Sequence, residues 1–251
     1  MGAEKIKEDV LSIDSSRKGM GGILEKTLRR FRTLSFSLLL LPVILICVFC
    51  VGVAAGPGLY VFFTVQEFTA HWTPILKYMA MGIGLASGYF VYGISLIFVV
   101  PLVNFLIPFK VKAFRGPWFS LPTIPWFIHN ALTYMVRFTF LEFITPSPLN
   151  VLFFKMMGMK IGKGVVINTS NISDPCMITL GDYVTIGGSA TLFAHSGQKG
   201  FLIIEPVTIG DHTNIGLKAS IMGGTQIGNR VTVKPHSVVL PKRKIEDGQI
   251  I

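Results

Sequence analysis

Along the chain, the distribution of apolar and polar positions changes character five times. Residues 1–32 mix both charge signs and end in a basic cluster of Lys26, Arg29, Arg30 and Arg32, with Gly21 and Gly22 suggesting a flexible tail before a short amphipathic approach to a bilayer. Between Thr33 and Gln66 no residue carries a formal charge. About 20 apolar residues cross a bilayer and two crossings need about 40, so this stretch predicts one span over residues 34–55. Pro42 is tolerable within it, and Gly56, Pro57 and Gly58 are expected to break or end it. A polar link with Glu67, His71 and Lys77 precedes a second uncharged run, 78–109, which Pro101 kinks or terminates. Residues 116–157 gather Pro117, Trp118, Phe119, Pro122, Pro125, Trp126 and Phe127, a mixture suited to the headgroup zone. Residues 128–143 then read as a helix lying in the interface, because Arg137 and Glu142 interrupt the run; a core helix is an equally weighted alternative.

From residue 158 onward the period changes to six. Ile203, Ile209, Ile215, Ile221, Ile227, Val233, Val239 and Ile245 recur at every sixth position, and four residues after such a position comes a small or β-branched side chain, as at Val207, Thr213, Ala219, Thr225, Val231 and Ser237. The hexads from Leu180, Ile186 and Leu192, and the one from Ile161, follow the same rule, which makes ten in all. Six is neither a helical period nor that of a long strand. It fits three short faces per turn with one inward aliphatic on each, a parallel β-helix whose coils bury a core only by stacking. The fold class expected is thus a membrane α-helical N-terminal region followed by an all-β parallel β-helix, divided as 1–32 tail, 33–115 two transmembrane helices, 116–157 interfacial helices and 158–251 β-helix.

Hexads such as the one from Ile209 (Gly210, Asp211, His212, Thr213, Asn214) and that from Ile215 (Gly216, Leu217, Lys218, Ala219, Ser220) resemble the left-handed β-helix of the hexapeptide-repeat acyltransferases. The resemblance covers roughly a third of the chain and implies a homotrimer with active sites between subunits. It also implies transfer of an acyl group, acetyl above all, from coenzyme A. Fold alone does not fix function, because the same helix hosts other activities.

Composition supports a membrane setting: of 251 residues 51% are hydrophobic and only 14% charged, with a net charge of +10. Cys47, Cys50 and Cys176 cannot make a disulfide framework, and the first two lie in an apolar run. Nothing resembles a myristoylation signal or a short cleaved leader. Basic residues before the first span and at Lys110, Lys112 and Arg115 after the second put both termini and the β-helix on the cytoplasmic side. That is where acyl-coenzyme A is found.

Candidate chemistry gathers where the six-residue phase breaks. The blocks ending at Leu192 and starting at Ile203 are eleven residues apart, which predicts a loop carrying His195. Loops on rigid scaffolds commonly carry function. His195 resembles the family's catalytic histidine, standing just before Pro206, Val207, Thr208, Ile209, Gly210 and Asp211. An imidazole suits the task of general base, taking the proton of a hydroxyl or amine that attacks a thioester. Asp174 and Glu205 are candidates to orient it, although a solvated turn is the favoured reading of both. Asn168, on the preceding coil, is a second catalytic candidate by resemblance. For coenzyme A, the resemblance points to Ala219, Ser220, Gly223 and Gly224 on the pantetheine side, and to Lys234, Lys242 and Arg243, with Lys244, for the phosphates. No metal is expected.

His212 and His236 read as solvated corner residues. A γ-class carbonic anhydrase would need three converging histidines, two of them close in sequence, whereas the spacings here are seventeen and twenty-four. The helical segment, absent from soluble relatives of the family, implies a lipid-borne or lipid-linked acceptor. The terminal region of certain peptide synthetases looks similar in joining helices to coils, so an amine acceptor stays open beside a hydroxyl. The alternative from another class is a non-catalytic trimeric scaffold at the membrane.

Overall fold

The computed structural model describes residues 12–15 and 17–251. The reading of residues 1–11 as tail falls outside them. Gly21 and Gly22 are not in a flexible segment but in helix α1 (Gly19–Arg30), where buried Glu25 pairs with Arg17 at 3.2 Å and Arg29 at 2.7 Å while Met20, Ile23 and Leu24 stay exposed.

Helix α2 (Arg32–Phe68) continues through Pro42 and Pro57, so the expected break near residue 56 does not occur. An internal proline removes one backbone donor, and close packing on a neighbouring helix supports the chain across it. Helix α3 (Pro74–Leu106) likewise contains Pro101. Both helices are long and apolar enough to cross a membrane. They meet where Gly58 faces Gly88: a Cβ at Gly58 would stand 2.4 Å from the carbonyl oxygen of Gly88. Only small residues permit this approach.

After α3 the chain forms strand β1 (Phe114–Pro117) and helix α4 (Thr123–Val136), which runs on as a π-helical turn (Arg137–Leu141), and then helix α5 (Pro148–Met156), capped by the Ser147 side chain. The interfacial reading of 128–143 gives way to the packed alternative. Leu132, Val136, Phe140 and Leu141 are buried between α3 and the first coil of the β-helix. Across that seam Tyr134 and Ser173 share a hydrogen bond of 2.7 Å, Arg137 donates to Asn171, and Ser170 donates to Glu142.

The β-helix winds through β2 (Lys160–Ile161), β3 (Val166–Ile167) and β4 (Ile172–Ser173), then β5 (Ile178–Leu180), β6 (Thr185–Ile186) and β7 (Thr191–Phe193). An excursion, β8 (His195–Gln198) and β9 (Phe201–Ile204), interrupts it. The coils resume with β10 (Val207–Ile209), β11 (Asn214–Ile215) and β12 (Ser220–Ile221), continue with β13 (Gln226–Ile227), β14 (Thr232–Val233) and β15 (Val238–Val239), and end at β16 (Lys244–Ile245). Three parallel sheets result, with Leu180, Ile209 and Ile227 in register on one, Ile186, Ile215 and Val233 on the next, and Leu192, Ile221 and Val239 on the third. All these side chains are at most 4% exposed, which accounts for the period: one inward aliphatic per face.

Corners follow the same arithmetic. Tyr183, Ser189, His212, Lys218, Arg230, His236 and Lys242 each stand three residues after an inward aliphatic, and each has φ between 54 and 63°. The left-handed conformation turns the chain onto the next face at a cost of roughly 1–2 kcal/mol per non-glycine residue, which coil stacking offsets. His212 and His236 are exposed, as solvated corners should be.

Candidate active site

The phase breaks twice, and the two breaks meet in space. A regular coil takes eighteen residues, as from Ile209 to Ile227. From Leu180 to Ile209 it takes twenty-nine, and the surplus forms the β8–β9 hairpin. Ile203, which keeps the six-residue spacing, therefore lies on the hairpin and not on a coil face, and the expected loop is sheet: β9 pairs antiparallel with β8 on one side and with β1 on the other. His195 holds the place of a corner after Leu192, yet it is absent from the positive-φ corners and opens β8 instead. The second break is the corner between Ile172 and Leu180, eight residues long, where Asp174 takes φ 57° and Pro175 starts a 3-10 turn.

Asp174 was expected in a solvated turn, and the structure overturns this. Its side chain is wholly buried and accepts four hydrogen bonds. Oδ1 accepts from Trp126 Nε1 at 2.8 Å and Asn130 Nδ2 at 2.7 Å. Oδ2 accepts from the Ala194 amide at 3.1 Å and faces His195 Nδ1 at 2.5 Å. Burial pushes the Asp174 pKa up, but hydrogen bonds from His195 and Asn130 and the attraction of His195 and His129 outweigh it and hold the carboxyl below the usual carboxylate range. A carboxylate only accepts, so the proton between the pair belongs on Nδ1 of a neutral imidazole and Nε2 keeps its lone pair. The ring is fixed further by Trp126, edge to face at 5.0 Å, and by Phe193 at 6.0 Å, while 21% of the side chain stays exposed. A partly exposed imidazole with a buried carboxylate behind it can serve as a general base with its orienting acid.

Two further titratable groups stand behind the dyad. His129, 3% exposed, meets Asn104 Oδ1 at 3.0 Å through Nδ1, while its Nε2 has no hydrogen-bond partner among the described residues. Burial lowers its pKa to about 4, with Asp174 opposing and Lys110 adding to the shift, so the ring is neutral at ordinary pH. Burial, and then the Asp174 charge, push the Cys176 thiol up to about 12, which removes it as a nucleophile.

The other sequence candidates lie apart from this pair. Glu205 makes a surface ion pair with Lys242 at 2.8 Å and does not orient His195. Asn168 is exposed at a corner beside Gly188, bonded through its amide to the Ile186 carbonyl. Ala219 cannot present a pantetheine surface, since it is fully buried in the coil core. Gly223 is buried under Ala194 and Glu205; Ser220 is half-buried, and Gly224 approaches Glu205 and Lys242. Lys234, Lys242 and Arg243 are exposed on late coils. Among the described residues, no three His, Cys, Asp or Glu side chains gather as metal ligands. Trp126 and Asn130 were missed by sequence reasoning, although their four-residue spacing on an apolar helix put two side-chain donors on one face.

Fold and site together define a hexapeptide-repeat parallel β-helix that carries a histidine–aspartate dyad and is joined to two long apolar helices. No protein-family profile matches the chain. A delta-poly-L-ornithine synthetase of Acinetobacter baumannii is 30% identical over 96 residues, which are 38% of this chain and 7% of that protein; the chain thus spans a small part of the relative it matches. Among solved structures, a hexapeptide-repeat-containing acetyltransferase from Vibrio cholerae is similar at 19% identity and a TM-score of 0.41, covering 50% of this chain and 85% of that one. A serine acetyltransferase from Neisseria gonorrhoeae is similar at 15% identity and a TM-score of 0.30, covering 74% and 86%. The fold assignment itself rests on the strand pairing above.

Proposed function

We propose that this chain is a membrane-bound acyltransferase that moves an acyl group, acetyl by preference, from coenzyme A to a hydroxyl or amine of a lipid-linked or membrane-proximal acceptor. The observation that carries the reading is the contact of His195 Nδ1 with buried Asp174 on a hairpin expelled from the β-helix. His195 Nε2 takes the acceptor proton as the oxygen or nitrogen attacks the thioester carbonyl. The tetrahedral intermediate collapses by breaking the carbon–sulfur bond, and the imidazolium returns its proton to the departing thiolate. Asp174 stays ionised throughout and holds the ring in one tautomer, while the positive charge that forms on His195 is stabilised by the carboxylate behind it.

Ser220 and Gly224 supply the pantetheine-side surface in this reading, and Lys234, Lys242 and Arg243 the phosphate contacts, with neighbouring copies of a homotrimer completing the groove. The poly-ornithine synthetase relative supports an amine among the acceptors. The two long helices, with basic residues at the ends nearest the β-helix, support anchorage with that domain in the cytoplasm.

The test is acyl transfer by purified protein in lipid nanodiscs, with labelled acetyl-coenzyme A and a total membrane lipid extract. Labelled lipid from wild type and none from His195→Ala is the expected result. Protein that neither binds coenzyme A nor labels any product would instead be a scaffold.

A further inference from the structure

A cavity of about 600 Å³ opens between the first turns of α2, the segment Pro117–Phe119, Phe127 and the hairpin tip at Gly200. That volume falls in the range of small-ligand sites. Its floor is aromatic: Phe36 stands edge to face with both Phe119, at 5.3 Å, and Phe127, at 5.1 Å. Among the described residues that line it, Arg32 carries the charge, and its Nε donates to the Arg29 carbonyl at 3.2 Å. The Arg32 guanidinium sits over the Phe119 ring at 5.8 Å, and Lys199, exposed, precedes Gly200 at the tip. On adjoining turns of α2, Leu34, Leu38 and Leu41 are 58–63% exposed, so the cavity opens beside the surface that would meet lipid chains.

Two tryptophan rings separate the cavity from the dyad. Trp118 forms one wall and packs on β8, its ring 3.1 Å from where a Cβ of Gly197 would be. Trp118 touches Trp126 edge to face at 5.6 Å, and Trp126 touches His195 at 5.0 Å. The hairpin thus carries the proposed base where it leaves the coil and borders the cavity at its tip, Gly200.

We infer that this cavity holds an acyl chain of an anionic, phosphate-bearing membrane lipid, with the phosphate beside Lys199 at the hairpin tip and the headgroup lying along the hairpin towards His195. The aromatic floor takes a chain without requiring hydrogen bonds, and exposed Lys199 at the tip matches an anionic headgroup at the height where the lipid surface begins. The lipid's role as acceptor rests on the acyltransferase reading; its binding in the cavity does not.

The test uses the full chain in phosphatidylcholine nanodiscs containing phosphatidylglycerol with a diazirine in one acyl chain, illuminated and mapped by mass spectrometry, alongside the acyl-transfer assay. Cross-links should concentrate on Phe36, Phe119 and Phe127 relative to Leu45 and Leu85, equally in wild type and His195→Ala. Ser37→Trp, on an exposed position at the cavity mouth, should abolish this labelling and the transfer to lipid together. Lys199→Glu should weaken competition by unlabelled phosphatidylglycerol about fivefold while leaving that by phosphatidylcholine unchanged. Labelling spread evenly over the outer faces of α2 and α3 would overturn the cavity site. Transfer persisting at the wild-type rate in Ser37→Trp would overturn the acceptor role. Site-specific labelling in a wild-type protein that acylates nothing would sink the acyltransferase reading, and the acceptor role with it, while the lipid site stood.

Discussion

At the scale of single residues, Asp174 is the position on which the site depends, because one carboxylate satisfies donors from a helix, the backbone amide between β7 and β8 and an imidazole. Asp174→Asn keeps the shape but exchanges an acceptor for a donor that faces Nδ1. The imidazole must then place its proton on Nε2, where the base needs a lone pair. Transfer should fall by about two orders of magnitude with circular dichroism unchanged, nearly matching His195→Ala. A stability effect belongs to the neighbouring His129. Its folded-state pKa of about 4 lies below the unfolded value, so the unfolded chain binds the extra proton between about pH 4 and 6.5. Stability from this group is fully present above about 6.5 and falls by about 3 kcal/mol on going to pH 4, and His129→Gln should flatten that slope in denaturant titrations. Asp174, held below the usual carboxylate range, adds a loss in the same direction only at still lower pH.

Elements differ in how openly the sequence declares them. In the coils the inward aliphatic repeats with the geometry that buries it, so Ile209, Ile227 and Ile245 could be assigned one face from spacing alone. Ile203 deceived because β9 buries three consecutive aliphatics, Leu202, Ile203 and Ile204, and a coincidence of phase is indistinguishable from a repeat. The hairpin's partner was hidden because β1 lies eighty-odd residues upstream, and pairing at that distance leaves no periodic trace. Asp174 was hidden because a buried acid and a turn acid look alike until donors arrive from α4. In the helices, Pro57 suggested an end that tertiary contact overrode. The Gly58–Gly88 crossing is what holds α2 and α3 together there, since a Cβ on Gly88 would reach within 2.8 Å of the Gly58 carbonyl oxygen. Gly88→Leu should destabilise the pair by about 1–3 kcal/mol in detergent unfolding titrations. Gly82→Leu, where a Cβ would meet nothing within 4 Å, should change little.

For the whole molecule, the length of the helices matters as much as their apolarity. α2 and α3 contain 37 and 33 residues. At 1.5 Å per residue they reach about 55 and 50 Å, against a hydrocarbon core of about 30 Å. The surplus has a use on the β-helix side, where α3 backs the site: Tyr89 donates to the Thr139 carbonyl at 2.7 Å and Asn104 meets His129 at 3.0 Å. Helix α3 therefore packs behind the dyad, and if the helices anchor the chain as proposed, their orientation decides which compartment supplies its substrates. Lys26, Arg29, Arg30 and Arg32 precede α2 or open it, and Lys110, Lys112 and Arg115 follow α3, whereas residues 69–73 between the helices carry no formal charge. In the proposed membrane-bound arrangement, this distribution of basic residues predicts that the β-helix side faces the cytoplasm. In sealed right-side-out vesicles, a membrane-impermeant maleimide should label His71→Cys directly and Lys234→Cys only after permeabilisation, each in a background with serine at 47, 50 and 176. The reverse pattern would place His195 away from the cytoplasmic pool of coenzyme A thioesters, and the dyad would then need an acyl donor that is itself carried in the membrane.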